Sequence, residues 1–421
     1  MERLDIHRGA VVLLGVLTVA LPLGANGGQV DLLDAGWRRI PVATTERAEL
    51  SGDGSRLAWT YRSERGPLSA GIYDVAKDRR LDVPLGRGER AYVTGWSPDS
   101  SRAWVVLKAE GVVKVFTVSA TDGELLQECE LLGARRVAAV VSPCGDALCI
   151  VSELADGKGA VTVLDRDRQE RRSTELSRRV MFWAGVAWSP VGDKVVLPVG
   201  TGDRFRWQLM VLQISDLEEQ LLPDGIGPTF AWSHDSSHIL SWRAAQGGLE
   251  LVAVSVESGR VDRVWRQPSV RFPSLIDVQG KSGLAAVAPL GDGTRPVFIC
   301  FPDGRFRELP ELRLPAGNVA FVSPEGWLLV ACRSPVGEPD EPGSKWVGPG
   351  RQRLMLVHWP SGETVELPVD VSFWSVSADG TSLLVGPYPA AGKDEGLLLF
   401  DLRCYLETKN RKAPGALELE R

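Results

Sequence analysis

Short apolar runs alternate with turns rich in Gly, Ser, Pro and Asp along almost the whole chain, and the alternation has a fixed period. One turn recurs in register: Ser51-Gly52-Asp53-Gly54, Ser97-Pro98-Asp99-Ser100, Ser142-Pro143-Cys144-Gly145 and Ser189-Pro190-Val191-Gly192. It returns as Ser233-His234-Asp235-Ser236, Ser323-Pro324-Glu325-Gly326 and Ser377-Ala378-Asp379-Gly380. Successive serines from Ser51 to Ser233 lie 46, 45, 47 and 44 residues apart. The 90 residues between Ser233 and Ser323 leave room for one degenerate copy, which Val278-Gln279-Gly280-Lys281 supplies. Such a period is the mark of a repeat architecture.

The turn chemistry predicts hairpins. Pro presets φ for a type I turn, Asp and Ser bond back to local backbone, and Gly accepts positive φ. Apolar runs flank each turn, as in Ala231-Trp232 before and Ile239 to Trp242 after. A third run, such as Val113 to Val118 or Leu249 to Val254, leads into a second turn, for example Thr121-Asp122-Gly123 or Glu257-Ser258-Gly259. A short strand of alternating charge follows. Each period therefore holds four strands, the unit of a propeller blade. The fourth strand is often expected to stop at a proline, as at Pro84, Pro223, Pro310 and Pro368. Trp37-Arg38-Arg39-Ile40-Pro41 carries the same pattern ahead of the first repeat, while the eighth repeat ends after its third strand, Leu397 to Leu402. The reading is an all-β, eight-bladed β-propeller of four-stranded antiparallel blades, closed by that N-terminal strand, with seven blades and a stray repeat as the alternative. Closure removes sheet edges that invite aggregation.

The turns in the form Trp-Ser-Pro-Asp at Trp96 to Asp99, and Trp-Ser-Pro at Trp188 to Pro190, resemble the TolB-type, WD-like propeller repeat over roughly residues 37 to 404. The resemblance implies that this turn joins the innermost strand of a blade to the second. It implies no activity, because function sits in loops grafted on the fold. TolB itself carries a further N-terminal domain, for which residues 1–36 leave no room.

The ends read differently from the repeat. Residues Ala10 to Leu23 are almost wholly apolar and are followed by small residues, including Ala25-Asn26-Gly27. That length suits a signal-peptide core better than a membrane span of about 20 residues. The expected division is a signal peptide over 1–27, a propeller over 36–404 and a disordered tail over 405–421. Export to the periplasm or the extracellular space follows, with membrane contact only through an uncleaved signal. Among six cysteines, only Cys144 and Cys149 could form a local bridge; small apolar strand residues is the favoured reading.

Composition narrows the function. A formal charge of −6 argues against nucleic acid as a partner. No Gly-x-Ser-x-Gly elbow or phosphate loop is present, and His234, His238 and His358 lie in no metal-ligand spacing, so no cofactor or metal is expected. The loops that enter successive first strands are rich in arginine: Arg87 and Arg90, Arg135 and Arg136, Arg178 and Arg179, then Arg271. Phe182 and Trp183 accompany them, as do Tyr92, Phe230, Phe272, Phe373 and Trp374. Guanidinium groups gathered on a concave face suit carboxylates or phosphates. The long segment Ser334 to Gly350, rich in Pro and Gly, presents Trp346 as a second candidate contact. The leading expectation is an exported, non-enzymatic scaffold for a protein or peptide partner. A carbohydrate- or small-anion-binding propeller, or a propeller lyase or hydrolase, is the alternative.

Overall fold

A computed structural model describes residues 37–411 apart from 41–47, 63–65, 166–169, 183–184, 202–206, 234, 247, 268–273, 278–283, 289–296, 301–304, 309–318, 324–326, 334–351, 359–362, 378–379 and 388–396. The expected signal segment, the degenerate turn at Val278 to Lys281, Arg271, Trp183 and the Ser334 to Gly350 segment with Trp346 lie outside the described residues.

The repeated turn is built around its serine. Ser51, Ser97, Ser142, Ser189, Ser233 and Ser377 are all buried. Each hydroxyl accepts the main-chain N–H five residues on, from Arg56, Arg102, Ala147, Lys194, His238 and Ser382, at 2.9–3.0 Å. In five copies it also donates to a carboxylate. Asp53, Asp99 and Asp235 receive it at 2.6 Å from two positions on. Asp146 and Asp193 receive it at 2.7 and 2.9 Å from four positions on. The acid thus shifts along the turn without losing its bond, which is why Cys144 and Val191 are tolerated where other copies carry Asp. Gly145 and Gly192 take left-handed backbone at φ of +79° and +83°, and Ser100 and Ser236 take it at +55° and +60°.

These bonds favour the ionised acids. Asp99 is held down to about 2, first by the Ser97 hydroxyl and then by Ser101. Asp235 also lies at about 2: burial opposes this, but the bonds from Ser233 and Ser237 outweigh it. An unfolded-state aspartate titrates near 3.9. The stability these two groups contribute is therefore complete above about pH 4 and lost as pH falls through 2. Both carboxylates face solvent, so screening leaves on the order of 1 kcal/mol each. Denaturation midpoints measured from pH 5 to pH 2 should fall less steeply in an Asp99→Asn/Asp235→Asn variant than in the parent.

Each described repeat makes one antiparallel sheet with its strands paired in chain order. Five sheets are four-stranded, and a sixth has its first strand split in two. They span 48–86, 90–132, 136–175, 179–221, 226–267 and 274–308. The last sheet has seven strands. Its 14-residue strand Glu363–Val376 pairs with Gln352–His358 through one half and with Ser382–Pro387 through the other. Divided there, it comprises two four-stranded units.

First strands pack on one another around a common centre. Ala48–Leu50 meets Arg90–Trp96, which meets Arg136–Val141, which meets Ala187–Trp188. Ile226–Trp232 meets Ser274–Asp277, which meets Val319–Ser323, and Glu363–Val376 returns to Ala48–Leu50. Apolar cores fill the spaces between sheets, such as Val83, Val93, Val105 and Val118 between the first and second. The recurring tryptophan has a defined task here. Trp96, Trp188 and Trp232 each donate the indole N–H to a first-strand carbonyl of the preceding sheet: Glu49 at 3.2 Å, Val140 at 2.8 Å and Ala187 at 3.3 Å. At the outer rim, Arg79, Arg172 and Gln220 reach carbonyls of the following sheet at Thr121, Ile214 and Val256.

The ends of the chain close the ring as the sequence predicts. Trp37–Ile40 pairs antiparallel with the last strand, Trp37 opposite Phe400 and Ile40 opposite Leu397. Arg38 of that strand donates to the Val75 carbonyl of the first sheet at 2.7 Å. This is the same rim contact that Arg79 and Arg172 make, so the N-terminal strand stands where an outer strand belongs.

Several expectations need correction. The tail expected to be disordered from residue 405 is helical over Leu402–Arg411. Asp401 caps it by accepting the Cys404 N–H at 2.8 Å, and Leu402 and Leu406 bury one face against the last sheet. Outer strands do not always stop at proline: Arg79–Gly86 and Glu363–Val376 run through Pro84 and Pro368. Arg79–Gly86 is the outermost strand of its sheet, so Pro84 has no ladder bond to lose on the far side. The favoured reading of the cysteines, by contrast, needs none: Cys144 and Cys149 are not bridged, and Cys149 is buried in the core between the third and fourth sheets, where burial pushes its thiol up to about 12.

Candidate functional site

The entry ends of the second, third and fourth sheets form the face that carries the predicted arginines. Arg90, Arg136 and Arg179 are the first residues of three consecutive first strands. Their cross-strand mates are Lys108, Glu153 and Gly200. Arg136 meets Glu153 at 3.6 Å and Arg179 meets the same carboxylate from the next sheet at 3.3 Å. The Glu153 side chain is only 12% exposed, whereas those of Arg136 and Arg179 are 65% and 63% exposed. A nearly buried acid therefore anchors two guanidinium groups that remain open to solvent. Lys108 pairs with Glu89 at 3.1 Å, and Arg62 holds the Gly88 and Glu89 carbonyls. Arg135 is exposed and its backbone N–H donates to the Glu153 carbonyl at 2.8 Å.

Beside this row lies an open cleft of about 550 Å³, lined by Lys158, Glu175, Ser177, Arg178, Arg179 and Glu219 among others. Ser177 ties the third sheet to the fourth, its backbone N–H donating to Glu219 at 2.9 Å. Lys158 bridges Glu175 at 3.5 Å and Asp156 at 3.7 Å. The lining thus holds Lys158, Arg178 and Arg179 against Asp156, Glu175 and Glu219. Such a surface is wet and polar, and offers little to an apolar small molecule.

The aromatic companions sit differently. Phe182 is half-buried and packs on the core between the third and fourth sheets, and Tyr92 and Phe230 pack on neighbouring cores. Phe182 belongs to an excursion between Val180 and Ala187, where the first strand of the fourth sheet leaves the ladder. Pro198 on the facing strand lies within this break and donates no N–H, though its carbonyl still accepts from Met181 at 2.9 Å. Sequence reasoning missed Glu153 and Lys108, because their role depends on cross-strand register. Among the described residues, no group of three His, Cys, Asp or Glu side chains could hold a metal ion, and no helix is long and apolar enough to cross a membrane.

No family model and no curated protein matches the chain. Solved structures do. The propeller of Dos1 is similar at 11% identity and a TM-score of 0.54, over 87% of this chain and 94% of that one. A dipeptidyl peptidase 4 from Porphyromonas gingivalis is similar at 10% identity and 0.58, over 86% of this chain and 59% of that one. TolB from Acinetobacter baumannii is similar at 15% identity and 0.34, over 61% and 64%. The alignments span about three-fifths of the peptidase and TolB chains. At these identities the likeness concerns the fold alone. By its in-register turns, its four-stranded antiparallel sheets and its likeness to the Dos1 and peptidase propellers, the chain has a β-propeller fold.

Proposed function

We propose that the chain is an exported, eight-bladed propeller scaffold that binds a protein or peptide partner at the entry face of its second to fourth sheets. Six sheets plus the two halves of the seven-stranded one, among the described residues, support the reading of eight blades. The observation that carries the binding reading is the mixed-charge cleft of Lys158, Arg178 and Arg179 with Asp156, Glu175 and Glu219. Charged and polar groups of both signs on an open face favour orientation and selection of a macromolecular partner. The apolar run Ala10 to Leu23 supports export.

A photo-cross-linking residue placed at Arg178, in the cells that make the protein, tests the reading. It should yield a discrete protein adduct that the same residue at Glu257, in an exposed turn of the fifth sheet, does not. Identical adducts from both positions, or none from Arg178, would sink the proposal.

A further inference from the structure

Arg90, Arg136 and Arg179 occupy one equivalent position, the first residue of the first strand, in three consecutive sheets. The strands that carry Arg90 and Arg136 pack on each other, and Glu153 links Arg136 to Arg179. The three cations therefore form a row around the mouth of the ring. Nothing in the architecture requires it. Arg90 stands directly across from Lys108, a like-charge pair that by itself destabilises the ladder. Four cations in this row, Arg90, Lys108, Arg136 and Arg179, face two carboxylates, Glu89 and Glu153. One of those two, Glu153, is shared at long range, and both of its guanidinium partners stay mostly exposed.

Resting on the partner-binding reading above, we infer that this row receives the carboxylate side chains of an acidic polypeptide segment, one or more per arginine. Planar guanidinium groups hold carboxylates through paired N–H bonds. The adjoining cleft decides between polymers. Asp156, Glu175 and Glu219 would repel a chain of uniform negative charge, such as a nucleic acid or a polyuronate, whereas a polypeptide can alternate its charges to match.

The test uses the full chain and fluorescence anisotropy, with two labelled probes of equal net charge: a peptide whose Glu-Gly repeat runs into a repeat of alternating Lys and Glu, and an oligogalacturonate. The peptide should bind, and Arg90→Ser/Arg136→Ser/Arg179→Ser should weaken it by about tenfold and flatten its salt dependence. Glu153→Gln should tighten it by about threefold, because the competing carboxylate is gone. A gain of affinity cannot come from misfolding, so this variant controls for the triple one. Absence of peptide binding, an unchanged triple variant, weaker binding by Glu153→Gln, or tighter binding of oligogalacturonate would each overturn the inference. If the Arg178 cross-link still forms in the triple variant, the partner reading survives and the arginine row alone fails.

Discussion

Trp37→Ala lowers the stability of the whole propeller by about 3–5 kcal/mol, the range for removing a large aromatic from a packed core. Trp37 lies in a four-residue strand, yet it is only 3% exposed and stacks on Phe400 with ring centroids 4.4 Å apart. Its neighbours in that core include Leu398, Leu402, Leu406 and Leu383, so one side chain joins the first strand, the last strand and the terminal helix. Loss of the ring leaves a cavity in that core. The strand also seals the ring, through four register pairs on one side and Arg38 to Val75 on the other. The effect should therefore appear as one cooperative transition shifted to lower denaturant, read by urea unfolding with far-ultraviolet and tryptophan signals together. A loss confined to the last sheet, seen as two separate transitions, would mean that closure does not couple the blades. Arg38→Ala should add about 1 kcal/mol by removing the rim contact.

Gly145→Ala should cost about 3 kcal/mol. Two causes act at the same atom. Gly145 sits at a φ of +79°, where any side chain costs about 1 kcal/mol or more. A Cβ there would lie 2.6 Å from the Trp96 carbonyl oxygen and 2.9 Å from the Pro98 nitrogen, both backbone atoms of the preceding repeat. Backbone cannot rotate away as a side chain can, so the third sheet must shift against the second, an overpacking cost of about 1–3 kcal/mol. Gly192→Ala, at a φ of +83°, is the control: its nearest contact lies 3.8 Å away, so it should pay only the conformational part. Equal losses from the two variants in chemical denaturation would show that the close approach between turns carries no energy.

Much of the architecture was legible in the residues because propeller strands are local. Each hairpin is made from contacts a few residues apart, so the turn serine, its acid and the glycine after it announce the pairing. The displaced strand at Trp37 to Ile40 was legible for a different reason: the eighth repeat lacked an outer strand, and only one unassigned segment had the right pattern. The helix over Leu402–Arg411 was not read. Its composition is polar, and its stability comes from Leu402 and Leu406 packing on a sheet that exists only once the ring has formed. The migration of the turn acid to Asp146 and Asp193 was likewise hidden, since the bond to the serine is the same from either position.

The site divides along the same line. Arginine at the start of successive repeats is a property of the chain and could be counted from it. Which carboxylate meets those arginines is not. Glu153 joins Arg136 through cross-strand register and Arg179 through the packing of one sheet beside the next, across 26 residues of chain. The aromatics show the converse: Phe182 and Tyr92 stand beside arginines in sequence, but their rings turn into the cores between sheets, because apolar area gains more there than at a wet mouth. By itself the sequence determined the repeat, its four strands and the seam where the ring closes, since these depend on local turn chemistry and a period of about 45 residues. Only the tertiary structure decided which charges face one another at the mouth, because register and inter-sheet packing bring together residues that no local pattern relates.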